Sequence, residues 1–276
     1  MGTESRNPRS YGLDRMSARE IVRLMDEEEV AVMRAMKLAE PEIALVAEKV
    51  SQAYLAGGRI VYVGAGTSGR IALMDAAEMP PTFGIDSERF IGVVSGGDTA
   101  ASRSIEDAED DEYAAIITLN NLKLERRDVL IALAASGRTP YVVAAVRHAR
   151  QKGVWTCGIA NNRGTPLLET ADLGILLDTG PEVLTGSTRL KAATAQKLAL
   201  NRISTAAMVL SGKVVENLMV DVKAKNQKLK ERCARIVTEL STKTFDEAWD
   251  LLEAHDWNLR RVLQMVRSPV GAPSRS

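Results

Sequence analysis

Chemistry in this chain concentrates on two carboxylates and two glycine-hydroxyl loops. Glu78 stands just ahead of Pro80-Pro81. Proline lacks a backbone N–H and disfavours helix in the residue before it, so the pair predicts the end of the helix that follows Gly69. Glu78 then falls in the last turn, where the negative end of the helix dipole favours the protonated carboxyl that a general acid needs. Glu109 lies in the acidic run 106–112. Helical spacing puts Ile105, Ala108, Glu109, Glu112 and Ile116 on one side, with Asp107, Asp110 and Asp111 elsewhere. A carboxylate sharing an apolar stripe requires a chemical reason, although such a run also suits a plain solvated face. The run lacks the spaced acids and central glycine of a calcium loop. Neither His148 nor His255 has a ligand partner at useful spacing, so no metal is expected.

The loops follow two apolar runs. The run 59–63 (RIVYV) leads into Gly64-Ala65-Gly66-Thr67-Ser68-Gly69-Arg70, and the run 128–134 leads into Ala135-Ser136-Gly137-Arg138-Thr139-Pro140. Glycines let a ligand approach the backbone, and a helix start after the turn presents free N–H groups at a positive dipole end. A lone GxGxxG is weak evidence, and the dinucleotide reading needs an acid closing the second strand. Here Asp86 and Glu88 precede FIGVV (90–94), and Asp98 comes late. Two Ser/Thr/Gly loops side by side fit a phosphomonoester better than a pyrophosphate spread along one loop. Ser136 and Thr139 also suit helix capping.

The elements that must position these groups alternate. Runs at 59–63, 90–94, 128–134, 154–160 and 173–177 read as strands, and the intervening segments, such as 140–152, read as helices. This order predicts an α/β fold with a five-stranded parallel sheet, flanked by helices of the flavodoxin-like type, and ligands at the carboxyl ends of the strands. Ahead of the sheet, Ser17 and Glu20 form a capping box for a helix to about Met36, and Pro41 starts a second helix ending at Gly57-Gly58. Residues 1–15, with Asn7, Pro8, Ser10 and Gly12 as breakers, read as an arm ordered on contact or as a loose terminus. Beyond Gly180 the chain turns helical, at 191–210 and then at 226–240, 245–254 and 258–267, with a tail (271–276) expected to be disordered.

The chain has 276 residues, 45% of them apolar, enough for a large core. Lys+Arg and Asp+Glu balance at 36 each, so no global field favours nucleic acid or an anionic membrane. Two distant cysteines argue against a disulfide framework and fit a reducing compartment. With no apolar signal segment or spanning run visible, a cytoplasmic protein is expected.

The blocks GAGTSGRIALMDAAEMPPTFG, SIEDAEDD, AASGRTPYV, EVLTGSTRLKAATAQK and NLMVDV, with the opening TESRNPRSYGLDRMS, resemble the N-acetylmuramic acid 6-phosphate etherase family, in order and over nearly the whole chain. The resemblance implies a sugar-isomerase (SIS) fold, a homodimer, and cleavage of a D-lactyl ether by water without metal or organic cofactor. It divides the chain into an arm with helices (1–50), a SIS domain (51–214) and a C-terminal ubiquitin-associated-like helical region (215–276). Carried over by position, Glu78 would protonate the departing lactate and Glu109 would handle the C2 proton. Gly66, Thr67, Ser68, Gly69, Ser136, Gly137, Arg138 and Thr139 would hold the phosphate. The block with Glu182, Thr185, Ser187, Arg189 and Lys191 would approach the sugar or a dimer seam, or serve in capping and ion pairing. The chain departs from the family's common residues at Ile71-Ala72, Met79 and Ala193. Two other readings share the fold: a non-catalytic sugar-phosphate-sensing regulator related to the glucokinase regulatory protein, and an aldose–ketose isomerase. Retention of both carboxylates favours the etherase.

Overall fold

The computed structural model describes residues 2–266 apart from 104, 106, 223 and 225. The tail 271–276 and the last residue of the helix expected over 258–267 lie outside the described residues. The chain forms two compact units, Met1–Ala77 with Ser87–Ser211, and Glu78–Asp86 with Gly212–Ser276.

The first unit begins with α1 (Ala18–Leu38) and α2 (Glu40–Leu55). Ser17 caps α1 in a full capping box: Glu20 N–H donates to Ser17 Oγ at 3.4 Å, and Ser17 N–H to Glu20 Oε2 at 2.7 Å. Then come β1 (Ile60–Gly64), α3 (Gly66–Phe83, whose residues from Glu78 onward belong to the second unit), β2 (Phe90–Val94) and the short α4 (Thr99–Ser102). They are followed by α5 (Glu112–Leu122), β3 (Val129–Leu133), α6 (Pro140–Gln151), β4 (Trp155–Ala160), α7 (Pro166–Thr170), β5 (Leu173–Leu176) and α8 (Lys191–Leu210). The five strands form one parallel sheet in the order β2-β1-β3-β4-β5. Val61, Val63, Leu130 and Ala132 pack in one cluster with Val142, Val146 and Ala149 of α6. The alternate residues Ile60, Tyr62, Ile131 and Leu133 are equally buried, which places them on the opposite face. Burial on both faces is why these strands are continuous apolar runs rather than alternating ones. The arm is packed, not loose: Thr3 and Asn7 are buried.

Two local expectations are corrected. Pro80 and Pro81 do not end α3, which runs through them to Phe83. Gly84 N–H donates to Pro80 O at 3.0 Å, so the helical ladder resumes at once. Met79 and Phe83 are buried on this stretch, and their burial offsets the donors the prolines lack. The acidic run is not one helix face either. Asp107 is left-handed (φ 62°), Ala108–Asp110 form a single 3-10 turn, and Asp111 caps α5 by accepting from Ala114 N–H at 2.9 Å. Short acids bond locally to the backbone and so compete with helix. Glu109 consequently belongs to no helical stripe, and it is exposed.

The second unit holds the hairpin β6 (Val214–Val215) and β7 (Leu218–Met219) with α9 (Gln227–Glu239), α10 (Phe245–Ala254) and α11 (Leu259–Val266). Its core gathers Cys233, Val237, Ala248, Leu252, Leu259 and Val262, with Trp249 edge-on to Trp257. Asn258 caps α11 by accepting from Arg261 N–H at 3.0 Å. Among the described residues, no helix is long and apolar enough to cross a membrane.

Candidate active site

β1 and β3 lie side by side and parallel, with Gly64 opposite Leu133, so both glycine loops leave the sheet at the same edge. The chain moves outward from β1 to β2 and then returns to the far side of β1 as β3. Such a reversal opens a crevice at the strand ends. There the structure has a cleft of about 400 Å³, lined by Gly66, Thr67 and Ser68 from the first loop and Ser136, Arg138 and Thr139 from the second. The expected pairing of the two loops is thus present in the fold.

The first loop is tight because of Gly69. A Cβ there would fall 2.5 Å from Val94 Cγ2 and 2.8 Å from Gly64 O. The close turn starts α3 at Gly66, leaving the N–H groups of Gly66, Thr67 and Ser68 without partners inside the helix. In the second loop, Gly137 N–H donates to Ala134 O at 2.9 Å and Arg138 N–H to Ser136 Oγ at 3.1 Å. The Ser136 hydroxyl therefore accepts within its loop and keeps its proton to donate outward. Thr139 occupies the N-cap position of α6 but makes no side-chain capping bond. These groups form a set of donors suited to a phosphate.

Glu109 and Asp110 also line the cleft. Glu109 and Gly66 are shared with an adjoining hollow of about 380 Å³ that adds Arg70, Ser95, Arg103 and Asp107. Arg70 fixes the segment before Glu109: its Nε donates to Ala100 O and Ala101 O, and its Nη2 to Arg103 O at 2.9 Å. Glu78 does not line the cleft; it is exposed on α3 and belongs to the second compact unit.

The block after Gly180 serves mainly to start α8. Glu182 is fully buried and accepts from Lys191 N–H at 3.1 Å and Ala192 N–H at 2.9 Å, a cap supplied from outside the helix. Burial pushes its carboxyl above the usual range, only partly opposed by those two bonds and by the Lys191 charge. Lys191 Nζ is buried against Glu28 Oε2 at 2.5 Å. At Glu28, burial works upward, but hydrogen bonds from Lys191 and Asn7 and the charges of Lys191 and Arg9 leave its carboxyl lowered. Arg189 is exposed, and neither it nor Ser187 lines the cleft. Thr188 does, and so does Glu4 of the arm. Sequence reasoning assigned no chemistry to either residue; only their place inside matched blocks could have pointed to them. Both cysteines are buried, which pushes the Cys233 thiol up to about 11 and the Cys157 thiol higher, so neither is a thiolate near neutral pH.

Comparison with known proteins gives a consistent picture. Residues 42–150 match the glucokinase regulatory protein N-terminal SIS domain, and residues 112–204 match the SIS domain. The N-acetylmuramic acid 6-phosphate etherase of Histophilus somni is 46% identical over 96% of this chain and 87% of its own. That of Geobacillus thermodenitrificans is 46% identical over 98% and 92%. That of Salmonella agona is 43% identical over 98% and 91%. Among solved structures, a phosphoheptose isomerase from Francisella tularensis superposes with a TM-score of 0.53 at 17% identity, covering 72% of this chain and all of that one. One from Neisseria gonorrhoeae gives 0.51 at 22%, covering 71% of this chain. These two likenesses show the fold.

Proposed function

The chain belongs to the N-acetylmuramic acid 6-phosphate etherase family, and from that premise we propose the reaction it carries out and the residues that perform it. It cleaves the D-lactyl ether of N-acetylmuramic acid 6-phosphate with water, giving N-acetylglucosamine 6-phosphate and D-lactate, by elimination and then hydration. The observation that carries this reading is the match to curated etherases over nearly the full length of both chains.

In the open-chain sugar, the C1 aldehyde acidifies the C2 proton. Glu109 takes that proton, and its electron pair forms the C2–C3 double bond. The C3–O bond breaks, and the departing lactate oxygen takes a proton from Glu78. Water then adds at C3 and a proton returns to C2 through the same groups in reverse. The phosphate does not react; held by the Ser/Thr loops, it supplies binding energy that positions C2 and C3. Support for Glu109 comes from its place in the cleft with both loops, and for Glu78 from its place in the matched block. Cytoplasmic residence, a homodimer and a ubiquitin-associated-like character for 215–276 follow from the same resemblance.

The test is D-lactate release in heavy water by the wild type, Glu78→Ala and Glu109→Gln. Wild-type release, with deuterium exchange at C2 surviving loss of Glu78 but not of Glu109, is the expected result. The match of residues 42–150 to a regulatory protein's domain favours one second reading, a sensor without chemistry. Tight phosphosugar binding with no lactate from any sample would select it.

A further inference from the structure

We infer that Glu4 is a substrate-binding residue that accepts hydrogen bonds from the neutral end of the sugar, the end away from the phosphate. The inference rests on the cleft being the phosphosugar site.

Glu4 lines the cleft with Thr67, Ser68, Ser136, Thr139 and Glu109. It stands on the N-terminal arm, but the arm is fastened on either side of it. Thr3 is fully buried; its N–H donates to Asn162 Oδ1 at 3.1 Å, and its Oγ1 accepts from Asn162 Nδ2 at 2.8 Å. That same Asn162 amide donates to Ala135 O in the second loop at 3.1 Å. Asn7, also buried, donates to Glu28 Oε2 at 2.7 Å and to Pro181 O at 3.4 Å. The Glu4 carboxylate lies against the turn that carries Thr188 into the cleft, since a Cβ on Gly186 would come 3.2 Å from Glu4 Oε2.

Among the described residues, the Glu4 carboxylate has no ion pair and no hydrogen bond. An ionised carboxylate only accepts, so whatever meets it must donate. It faces loops built from donors that suit an anion, and two anions cannot share one set of donors without repulsion. A phosphosugar resolves this. Its phosphate occupies the Ser/Thr loops, and its hydroxyl or acetamido N–H groups are the donors left for Glu4. The arm thus reads the sugar while the loops read the phosphate.

Calorimetry on the wild type and Glu4→Ala, with N-acetylglucosamine 6-phosphate and with inorganic phosphate as separate probes, tests this without needing turnover. A hydrogen bond to a charged group corresponds to about 10-fold or more in affinity. Glu4→Ala is expected to weaken the phosphosugar by that factor and leave inorganic phosphate unchanged, with Glu4→Gln falling between. Unchanged phosphosugar affinity overturns the inference, as does equal weakening of both probes, which would mark a displaced arm. The wild-type lactate assay separates the two levels. A wild type that turns over while Glu4→Ala binds normally sinks only the role of Glu4. A wild type that binds neither probe sinks both readings.

Discussion

Gly137 is pressed against Thr165 so closely that a Cβ on the glycine would sit 2.3 Å from Thr165 Oγ1 and 2.6 Å from Thr165 Cβ. The glycine is also left-handed, with φ of 67°. Both facts forbid a side chain at the centre of the second loop. Gly137→Ala is expected to lose about 1–3 kcal/mol of stability and to raise the KM for the phosphosugar, because the loop must shift to clear Thr165. Thermal unfolding and lactate-release kinetics would check it, and a variant with wild-type KM would contradict the assigned loop.

Arg59 and Asp128 fasten the entry of β1 to the entry of β3. Arg59 Nη2 donates to Asp128 Oδ2 at 2.6 Å, and Asp128 also accepts from Arg59 N–H at 2.8 Å and Glu125 N–H at 2.9 Å. Burial works to raise the Asp128 carboxyl, but these bonds and the Arg59 charge leave it lowered. A lowered carboxylate adds stability above its unfolded value of about 3.9, and that stability is lost as pH falls through the lower folded value. Asp128→Ala should cost about 2–4 kcal/mol at pH 7, with Arg59 a quarter exposed, and the cost should shrink below about pH 4. Urea unfolding at pH 7 and pH 3 would show this; a cost independent of pH would argue against the ion pair.

Lys191 reaches Glu28 with side chains only 3% and 10% exposed, tying α1 to the start of α8. Removing the lysine takes away the buried cation of a mostly buried carboxylate and leaves it only the half-exposed Arg9, whose Nη1 donates to Glu28 Oε1 at 3.0 Å. Lys191→Met should therefore destabilise by about 2–4 kcal/mol, and the double variant with Glu28→Gln should recover part of that. A double variant no better than the single one would show that the charge was not the source of the loss.

Asp75 behaves in the opposite sense. It is buried; among the described residues Oδ1 has a long contact to Ser204 Oγ (3.4 Å) and Lys197 Nζ at 3.9 Å, Oδ2 has no hydrogen-bond partner within normal distance, and the buried Tyr62 hydroxyl lies beside the carboxyl. Burial raises its carboxyl, against the opposing charge of Lys197 and the weaker help of the Tyr62 and Ser204 hydroxyls. The folded state therefore holds the proton more tightly than the unfolded one, and stability falls as pH rises from about 3.9 through the raised folded value. Asp75→Asn should leave stability at pH 7 unchanged or up to about 2 kcal/mol higher. A loss of more than about 1 kcal/mol would mean that the carboxylate is held by partners stronger than these.

The sheet was legible because each strand is a short apolar run bounded by glycine, proline or charge, and burial on both faces leaves no alternation to confuse with a helix. Ser17 with Glu20 and Asn258 were legible as caps because capping is a local bargain between a side chain and nearby N–H groups. The pairing of the two loops followed from strands in sequence being wound across a switch point. What failed were local rules overruled by packing or by competition. Pro80-Pro81 should stop a helix, but buried Met79 and Phe83 carry it onward. Glu109 looked inward-facing only if 105–116 were helical, and Asp107 and Asp111 broke that period. Glu4 could not be found from periodicity or spacing, because its position depends on Asn162, far along the chain.

That distance sets an order of assembly. Thr3 and Asn162 are 159 positions apart, and Glu28 and Lys191 are 163 apart. At roughly 5–20 residues per second, Thr3 is made on the order of 10–30 s before Asn162. During that interval the Thr3 N–H and hydroxyl lack their native partner, while Asn7 already has Glu28 within 21 positions. The arm is thus made well before the residue that secures it, and the cleft wall it carries closes only when the sheet as far as β4 is present. Pulsed hydrogen exchange during refolding should find the Thr3 amide protected later than those of β1 and β3; earlier protection would place the arm in the folding nucleus instead.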